Sequence, residues 1–481
     1  MGAVTVYCVG DWLRFKLKKL PTIAIIAILG ILFTLFTGLL TSFKYLQHWA
    51  PCYDFGIFSQ MFNYMKETLQ PLTTCERDGL LSHFAVHFSP IYYLLLPFFF
   101  IFPSPVTLLM GQAAIIASGL IPLYLICKRH KLSNAAVILF SLCYVLLPSM
   151  ANGCFFFLHE NKFLTPLILW LAFALEKNKW IPSVIFTLLL LAVKEDAPVY
   201  AAVLGLYFIV SRRNISKGAL VFVLSIIYFI TVSYFMSKYG LGTMSYRYDN
   251  FIYDGSGSLF TVIKAVILNP IYTVHEAFDE EKIKFILQML VPLAFMPLMI
   301  KKPSRIILLI PFILLNLMSD YTYQHNINFQ YTYGSAAFLF YLMILNYQDM
   351  KPGFRCKVLA VAATSSIFMF MCNTYYRTSG YESYKTDKNN GAIDIIDDAL
   401  ELVPDDSSVA ATTFLVASLY DHREVYEFES TNHRDEVEYI VLDLRISSDD
   451  FSVDDYLNNP IYETVENKPG YIAIFRNTTV E

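Results

Sequence analysis

The sequence predicts a mainly α-helical, polytopic transmembrane bundle of about eleven spans, followed by a small C-terminal α/β domain. Three observations carry that prediction. The 481 residues are 56% hydrophobic and only 16% charged, with a mean hydropathy of +0.48, too apolar for an ordinary soluble enzyme. Apolar runs long enough to enter a bilayer recur between residues 22 and 373. The charge is divided as well: residues 374–481 hold 23 acidic side chains against 8 basic, whereas residues 1–373 hold 17 against 28. The net charge of −4 therefore conceals two regions facing different solvents.

The first expected element is a basic lead-in over residues 1–20, with Arg14, Lys16, Lys18 and Lys19, ahead of a span at 22–43. No small-residue cleavage site follows, so the segment reads as an anchor with its N-terminus in the cytoplasm, delivering the chain outside near Lys44. Between Phe84 and Cys127 a Pro-Ser-Pro break at 103–105 interrupts a long apolar stretch. A single span at 105–127 keeps Lys128, Arg129 and Lys131 inside, and leaves 84–102 as an interfacial or re-entrant segment that must pack on protein. The same logic divides 180–211 into two short spans meeting at an external Lys194-Glu195-Asp196 turn, with Pro198 starting the second and Arg212 and Arg213 inside.

Spans near 134–151, 162–176, 218–236, 285–300, 304–318, 332–347 and 356–373 complete the series, with basic inner turns at Lys301/Lys302/Arg305 and Lys351/Arg355/Lys357. Domain boundaries follow: 1–373 for the bundle, including a first external loop at 44–104, and 374–481 for an acidic extracytoplasmic domain. The 237–284 loop, rich in Tyr, Asp and Gly, is long enough for a lid or an acceptor-binding loop. In the tail, 407–412, 437–444 and 470–475 read as strands, and no Gly-rich nucleotide loop follows any of them. The eight cysteines form no CxxC pair; Cys52 and Cys75 are either a bridge across the first loop or two free thiols.

The polar residues that suggest chemistry all fall on the predicted outer side. Asp54 stands just past the first span in an apolar surround, where desolvation would raise its pKa toward that of a general base; the plainer alternative is a helix cap. His83 and His87 are four residues apart, so in a helix they share a face, which suits metal binding or an anion clamp; with no third ligand in sequence, amphipathic packing is the plainer alternative. His159, Glu160 and Asn161 open a span in a HENKF sequence that is not HExxH, which excludes that metalloprotease motif and leaves polar substrate contacts or capping. Lys194, flanked by Glu195 and Asp196, either forms structural ion pairs or meets a phosphate. Gln324, His325, Gln330 and Tyr331 are placed to join the same cavity.

The phrases YDFGIFSQ (53–60), HFSPIYYLLLP (87–97), LLMGQA to PLYLICKR (108–129), LHENKF (158–163), VKED (193–196) and VPDDSSVAAT (403–412) resemble a prokaryotic family of polytopic membrane proteins catalogued as a domain of unknown function and placed in the GT-C superfamily of membrane glycosyltransferases. The resemblance covers most of 20–475. It implies a GT-C-like bundle in which Asp54 matches the acidic position serving as base, or metal-associated group, when an acceptor hydroxyl attacks the anomeric carbon of a polyprenyl-phosphate sugar. Many members of that superfamily carry two acidic residues here, whereas Cys52 stands two before Asp54, which argues against a metal requirement.

The expected function is therefore an inverting glycosyltransferase at the plasma membrane, using a polyprenyl-phosphate-linked sugar donor and a glycan, lipid or protein acceptor outside the cell. Asp54 is the expected base, with substrate contacts from His83, His87, His159, Glu160, Lys194, Glu195, Asp196, His325, Gln330 and Tyr331. Arg77 and His87 are further sources of positive charge for the leaving phosphate. No cofactor or nucleic-acid partner is expected, and a divalent metal is an open alternative without support in the sequence. Two other classes compete: a lipid or glycan transporter, which would need internal repeats or broken helices near mid-membrane, and a non-catalytic scaffold acting through its acidic tail.

Overall fold

A computed structural model describes residues 21–242, 245–252, 259–446 and 451–480. The basic lead-in, Cys8 and the glycine-rich part of the long loop at 253–258 lie outside the described residues.

The chain is mainly helical and multi-pass in character. Five helices are long and apolar enough to cross a membrane: Thr22–Leu46, Pro105–Arg129, Asn134–Phe155, Ile215–Tyr239 and Pro352–Asn373. Shorter apolar helices cover Trp180–Leu191, Ala197–Val210 and Pro303–Leu317. The first two flank the Lys194-Glu195-Asp196 turn, and Pro198 sits in the opening turn of the second, where its missing N–H breaks no helical bond. By contrast, 285–318 is not a pair of straight helices. After Glu280–Leu290 come 3₁₀ turns at Val291–Leu293, Met296–Leu298 and Pro303–Leu309 and a wide turn at Phe312–Leu317. Pro292, Pro297, Pro303 and Pro311 each remove a backbone donor and prevent a regular ladder.

Two helices, Leu164–Glu176 and Tyr333–Asp349, are apolar almost all round and buried along nearly their whole length, forming the centre of the bundle. Thr22–Leu46 and Ile215–Tyr239 instead expose Ile23, Leu32, Ile227 and Ile230, as helices facing lipid do. Ile215–Tyr239 joins through backbone contact: a Cβ on Gly205 would lie 2.7 Å from the Gly218 carbonyl oxygen, so the two helices cross where neither has a side chain.

The segment 84–102 does pack on protein. It consists of 3₁₀ turns at His83–Ala85 and Pro90–Leu94 and a helix at Leu96–Ile101. Tyr92 and Phe99 are fully buried, and the Ile91 N–H donates to the Ala192 carbonyl at 2.9 Å, next to the charged turn.

Two sheets complete the fold. β1 (Leu72–Thr73) and β2 (Leu81–Ser82) form a small antiparallel hairpin in the first loop. The tail holds β3 (Ser408–Ala411), β4 (Glu424–Glu427), β5 (Tyr439–Asp443), β6 (Tyr462–Lys468) and β7 (Ile472–Asn477) in the order β4-β3-β5-β7-β6. β3 runs parallel to β4 and β5, while β7 is antiparallel to β5 and β6. One face packs Val409, Val441 and Ile474 against Ile396 and Leu400 of helix Ala392–Leu400; the other packs Ala410, Ile440 and Phe475 against Phe428 and Tyr456. That alternation is the period-two pattern of strands covered on both faces.

This tail unit is fastened to the first loop. The Cys52 N–H donates to the Thr413 carbonyl at 2.7 Å, and Thr74 exchanges hydrogen bonds with the Val425 backbone at 2.6 and 3.1 Å. Arg445 donates to the carbonyls of Gln47 and His48 at 2.7 and 2.6 Å, and its guanidinium lies over the Trp49 ring. Asp78 accepts from Thr431 and Asn432 at the other end of the seam.

Candidate active site

A polar cavity of about 470 Å³ opens where the first loop, the bundle and the tail meet. Asp54, His83, His87, His159, Glu160, Lys194, Gln330 and Tyr331 all line it, so eight residues named from distant parts of the sequence converge. Glu195 stands behind His87 rather than in the wall, and Asp196 is outside it. His325 is also absent from the lining; its imidazole lies 3.7 Å from Glu281.

Asp54 occupies an unusual backbone. The chain turns at φ 70°, ψ −67°, the conformation of a tight γ-turn that an L-residue adopts only under strain. Helix Ile57–Thr68 then starts without a side-chain cap, and the Asp54 carboxylate, 26% exposed, faces His159, with Oδ1 3.2 Å from Nε2. Burial works to raise the Asp54 carboxyl, yet the facing imidazole outweighs it and holds the group below its ordinary value. The expectation of a raised pKa therefore gives way, because desolvation was the only effect readable before His159 was known to face it.

Behind this pair lies a buried ionic frame. Lys194 Nζ is 2.7 Å from Glu160 Oε1, and Tyr92 donates its hydroxyl to Glu160 Oε2 at 2.7 Å. Burial would raise Glu160, but the Lys194 ammonium overrides it and holds the carboxyl well below the carboxylate range. His87 Nδ1 is 2.8 Å from Glu195 Oε1, while the Phe88 N–H donates to the other oxygen at 3.2 Å. His87 overrides burial in the same way and holds Glu195 down to about 2. Asp196 has no such partner, and burial pushes it up to about 6.

His83 and His87 share a locality without sharing a ligand. Ser82 caps the 3₁₀ turn by accepting from the Phe84 N–H, and the His87 N–H reaches the His83 carbonyl at 2.8 Å. Their ring centroids are 5.9 Å apart, but His83 turns to Glu76 at 2.9 Å and His87 to Glu195. No group of three or more His, Cys, Asp or Glu is gathered for a metal among the described residues. Cys52 and Cys75 both line the cavity and are free thiols.

Several wall residues escaped the sequence. Arg247, from the loop after Ile215–Tyr239, sits over the Tyr321 and Tyr331 rings at 4.8 and 5.1 Å and adds a second buried cation. Tyr246 and Tyr321 accompany it in the lining, and Glu76, Glu427 and Ser430 close the side next to the tail. Lys162 is fully buried just behind, its ammonium 5.7 Å from the Tyr333 ring centroid. Of these, Arg247 had a readable signal: an arginine amid tyrosines in a loop too long for a linker.

Such an arrangement offers a carboxylate positioned at the cavity wall by a strained turn, the cations Arg77, Lys194 and Arg247 in the same lining as the acids Glu76, Asp78, Glu160 and Glu427, and the aromatic rings of Tyr246, Tyr321 and Tyr331. It suits a neutral hydroxyl compound next to Asp54 and an anionic group next to Lys194 and Arg247. A family model described as a predicted membrane protein (DUF2079) matches residues 47–472, which contain every cavity residue named above. No curated protein matches the chain.

Proposed function

The chain belongs to the DUF2079 family of predicted membrane proteins, and from that premise we propose that it is a membrane glycosyltransferase of GT-C type. The observation that carries the reading is the Asp54–His159 pair, 3.2 Å apart, with Asp54 set in a strained turn at the cavity. Strain of this kind persists where the surrounding structure holds a side chain in a working position.

In this reading the cavity face is extracytoplasmic and the chain crosses the plasma membrane about eleven times, N-terminus inside and C-terminal domain outside. A polyprenyl-phosphate sugar places its phosphate toward Lys194 and Arg247. Asp54 accepts the proton of an acceptor hydroxyl as its oxygen bonds to the anomeric carbon, the bond from that carbon to the phosphate oxygen breaks, and polyprenyl phosphate leaves with inversion. His159 orients the carboxylate. The low Asp54 pKa keeps it ionised at neutral pH, ready to take the proton, while limiting its basicity.

Lys194 is matched by Glu160, so the pair presents little net charge, and Arg247 supports the phosphate end as the second cation. The tail, through Glu427 and Ser430, borders the space where an acceptor would enter. The test is sugar transfer from a labelled polyprenyl-phosphate hexose by wild type and by Arg247→Gln. A raised KM for the donor with an unchanged KM for the acceptor in Arg247→Gln supports the assignment; transfer unaffected by the substitution removes Arg247 from it.

A further inference from the structure

We infer that the end of the bundle opposite the Asp54 cavity carries a second binding site, for a phosphate ester, built by Arg129, His130 and Arg213 around the single carboxylate of Glu176. Two helices lead from one site to the other, and a third reaches the second site from the tail side. Leu164–Glu176 follows Glu160 of the cavity and ends at Glu176; Ala197–Val210 follows Lys194 and ends before Arg213; Pro105–Arg129 starts beside Pro103, whose carbonyl accepts from Tyr420 of the tail, and ends at Arg129. A helix of fourteen residues such as Ala197–Val210 separates the two ends by about 21 Å.

The second site is a polar cavity of about 410 Å³ lined by Arg129, His130, Glu176, Phe208 and Arg213. Glu176, 4% exposed, is its only acid among the described residues. It lies 3.1 Å from Arg129 Nε, 2.8 Å from His130 Nε2 and 3.4 Å from Arg213 Nη1, and it accepts from the Tyr341 hydroxyl at 2.8 Å. Arg129 also donates to the Glu176 carbonyl. One carboxylate therefore answers two guanidiniums, and the cavity keeps an excess positive charge with arginine N–H groups at its opening.

A purely structural tie at this end looks different. Arg305 meets Asp349 at 2.7 Å and Asn346 at 2.9 Å with its side chain 2% exposed, so that cluster is closed. Arg129 and Arg213 are 37% and 30% exposed and stand open. The turns that bring them, 128–133, 176–180 and 211–217, carry eight lysines and arginines against Glu176 alone. They flank apolar helices, three of them (Pro105–Arg129, Asn134–Phe155 and Ile215–Tyr239) long enough to cross a bilayer, and basic residues at the ends of such helices attract anionic headgroups. A forked guanidinium pair matches phosphate oxygens two at a time.

The experiment titrates full-length protein in neutral detergent and follows its unfolding midpoint. One arm adds phosphatidylglycerol against phosphatidylcholine; the other adds inorganic phosphate or glycerol 3-phosphate at constant ionic strength. The expected result is a saturable rise in at least one arm for wild type and for Lys131→Gln, a cation of the same turn outside the cavity. Arg213→Gln should weaken the apparent affinity roughly tenfold, the loss of one charge-assisted hydrogen bond. A rise with phosphatidylglycerol alone identifies a lipid headgroup; a rise with glycerol 3-phosphate or inorganic phosphate identifies a soluble phosphate. Arg129→Gln, whose side chain is the more exposed, carries the test if Arg213→Gln does not fold. No rise in either arm, or equal affinity in wild type and the cavity variants, overturns the site.

Discussion

Asp54 Oδ1 stands 3.2 Å from His159 Nε2, joining a strained turn after the first long helix to the loop that opens a buried helix about a hundred residues later. The contact decides the electrostatics of the cavity. Burial pushes the carboxyl up, and the facing imidazole, with Lys194 behind it, brings it below its ordinary value. Removing His159 should therefore change the pH dependence of the protein before it changes anything else.

His159→Gln tests this. Without the imidazole only burial remains as the leading influence, and the Asp54 pKa should rise. The acid limb of any transfer activity should move to higher pH. A pH profile of kcat/KM for both proteins checks it, and an unchanged acid limb would separate His159 from the carboxylate.

Lys194→Met should be severely destabilising. It leaves Glu160, 1% exposed, as a buried charge without its ammonium partner, a loss of about 3 to 5 kcal/mol. The double variant Lys194→Met/Glu160→Gln removes both charges and should recover most of that. Unfolding midpoints in detergent for the cycle of four proteins measure the coupling directly.

The His87–Glu195 pair predicts an acid sensitivity of stated sign. Glu195 has its folded pKa lowered to about 2 from the ordinary value of 4.5. Its contribution is therefore complete above about pH 4.5 and is lost as the pH falls through the folded value, because the unfolded state binds the proton first. Glu195→Gln should flatten the unfolding midpoint across that window, while wild type declines through it.

Arg445→Ala should loosen the tail. The substitution removes the hydrogen bonds to Gln47 and His48 and the stack on Trp49, a loss of about 2 to 4 kcal/mol from that seam. Limited proteolysis should release a fragment beginning near residue 374 faster than from wild type. Since Glu427 and Ser430 of the tail line the cavity, activity should fall along with the docking.

What the sequence disclosed follows from the range of each signal. Asp54, His159-Glu160 and Lys194-Glu195 were visible because charges beside apolar runs are expensive in a bilayer and need a reason. Their pairing was not, since Glu160 meets Lys194 across 34 positions and His87 meets Glu195 across 108. β3, β5 and β7 carry Val, Ile and Ala runs that mark central strands, whereas β4 (EVYE) and β6 (YETVENK) lie at the sheet edges, where polar residues hide the pattern. The short helices around 285–318 were masked by continuous hydropathy, although their four prolines were present to be read. His325 has the composition of a cavity residue, but the 3₁₀ turn Thr322–His325 directs it to Glu281.

The most direct measurement is transfer of a labelled sugar from polyprenyl-phosphate hexose, followed by mass spectrometry of lipid-linked and surface glycans, in cells carrying wild type, Asp54→Asn or no copy. The substitution keeps the shape of the side chain and removes its ability to take a proton. The expected result is that the glycan lost without the protein is equally lost with Asp54→Asn, while that variant reaches the membrane at the wild-type level. An Asp54→Asn protein that supports the same glycan as wild type would contradict catalysis at this cavity.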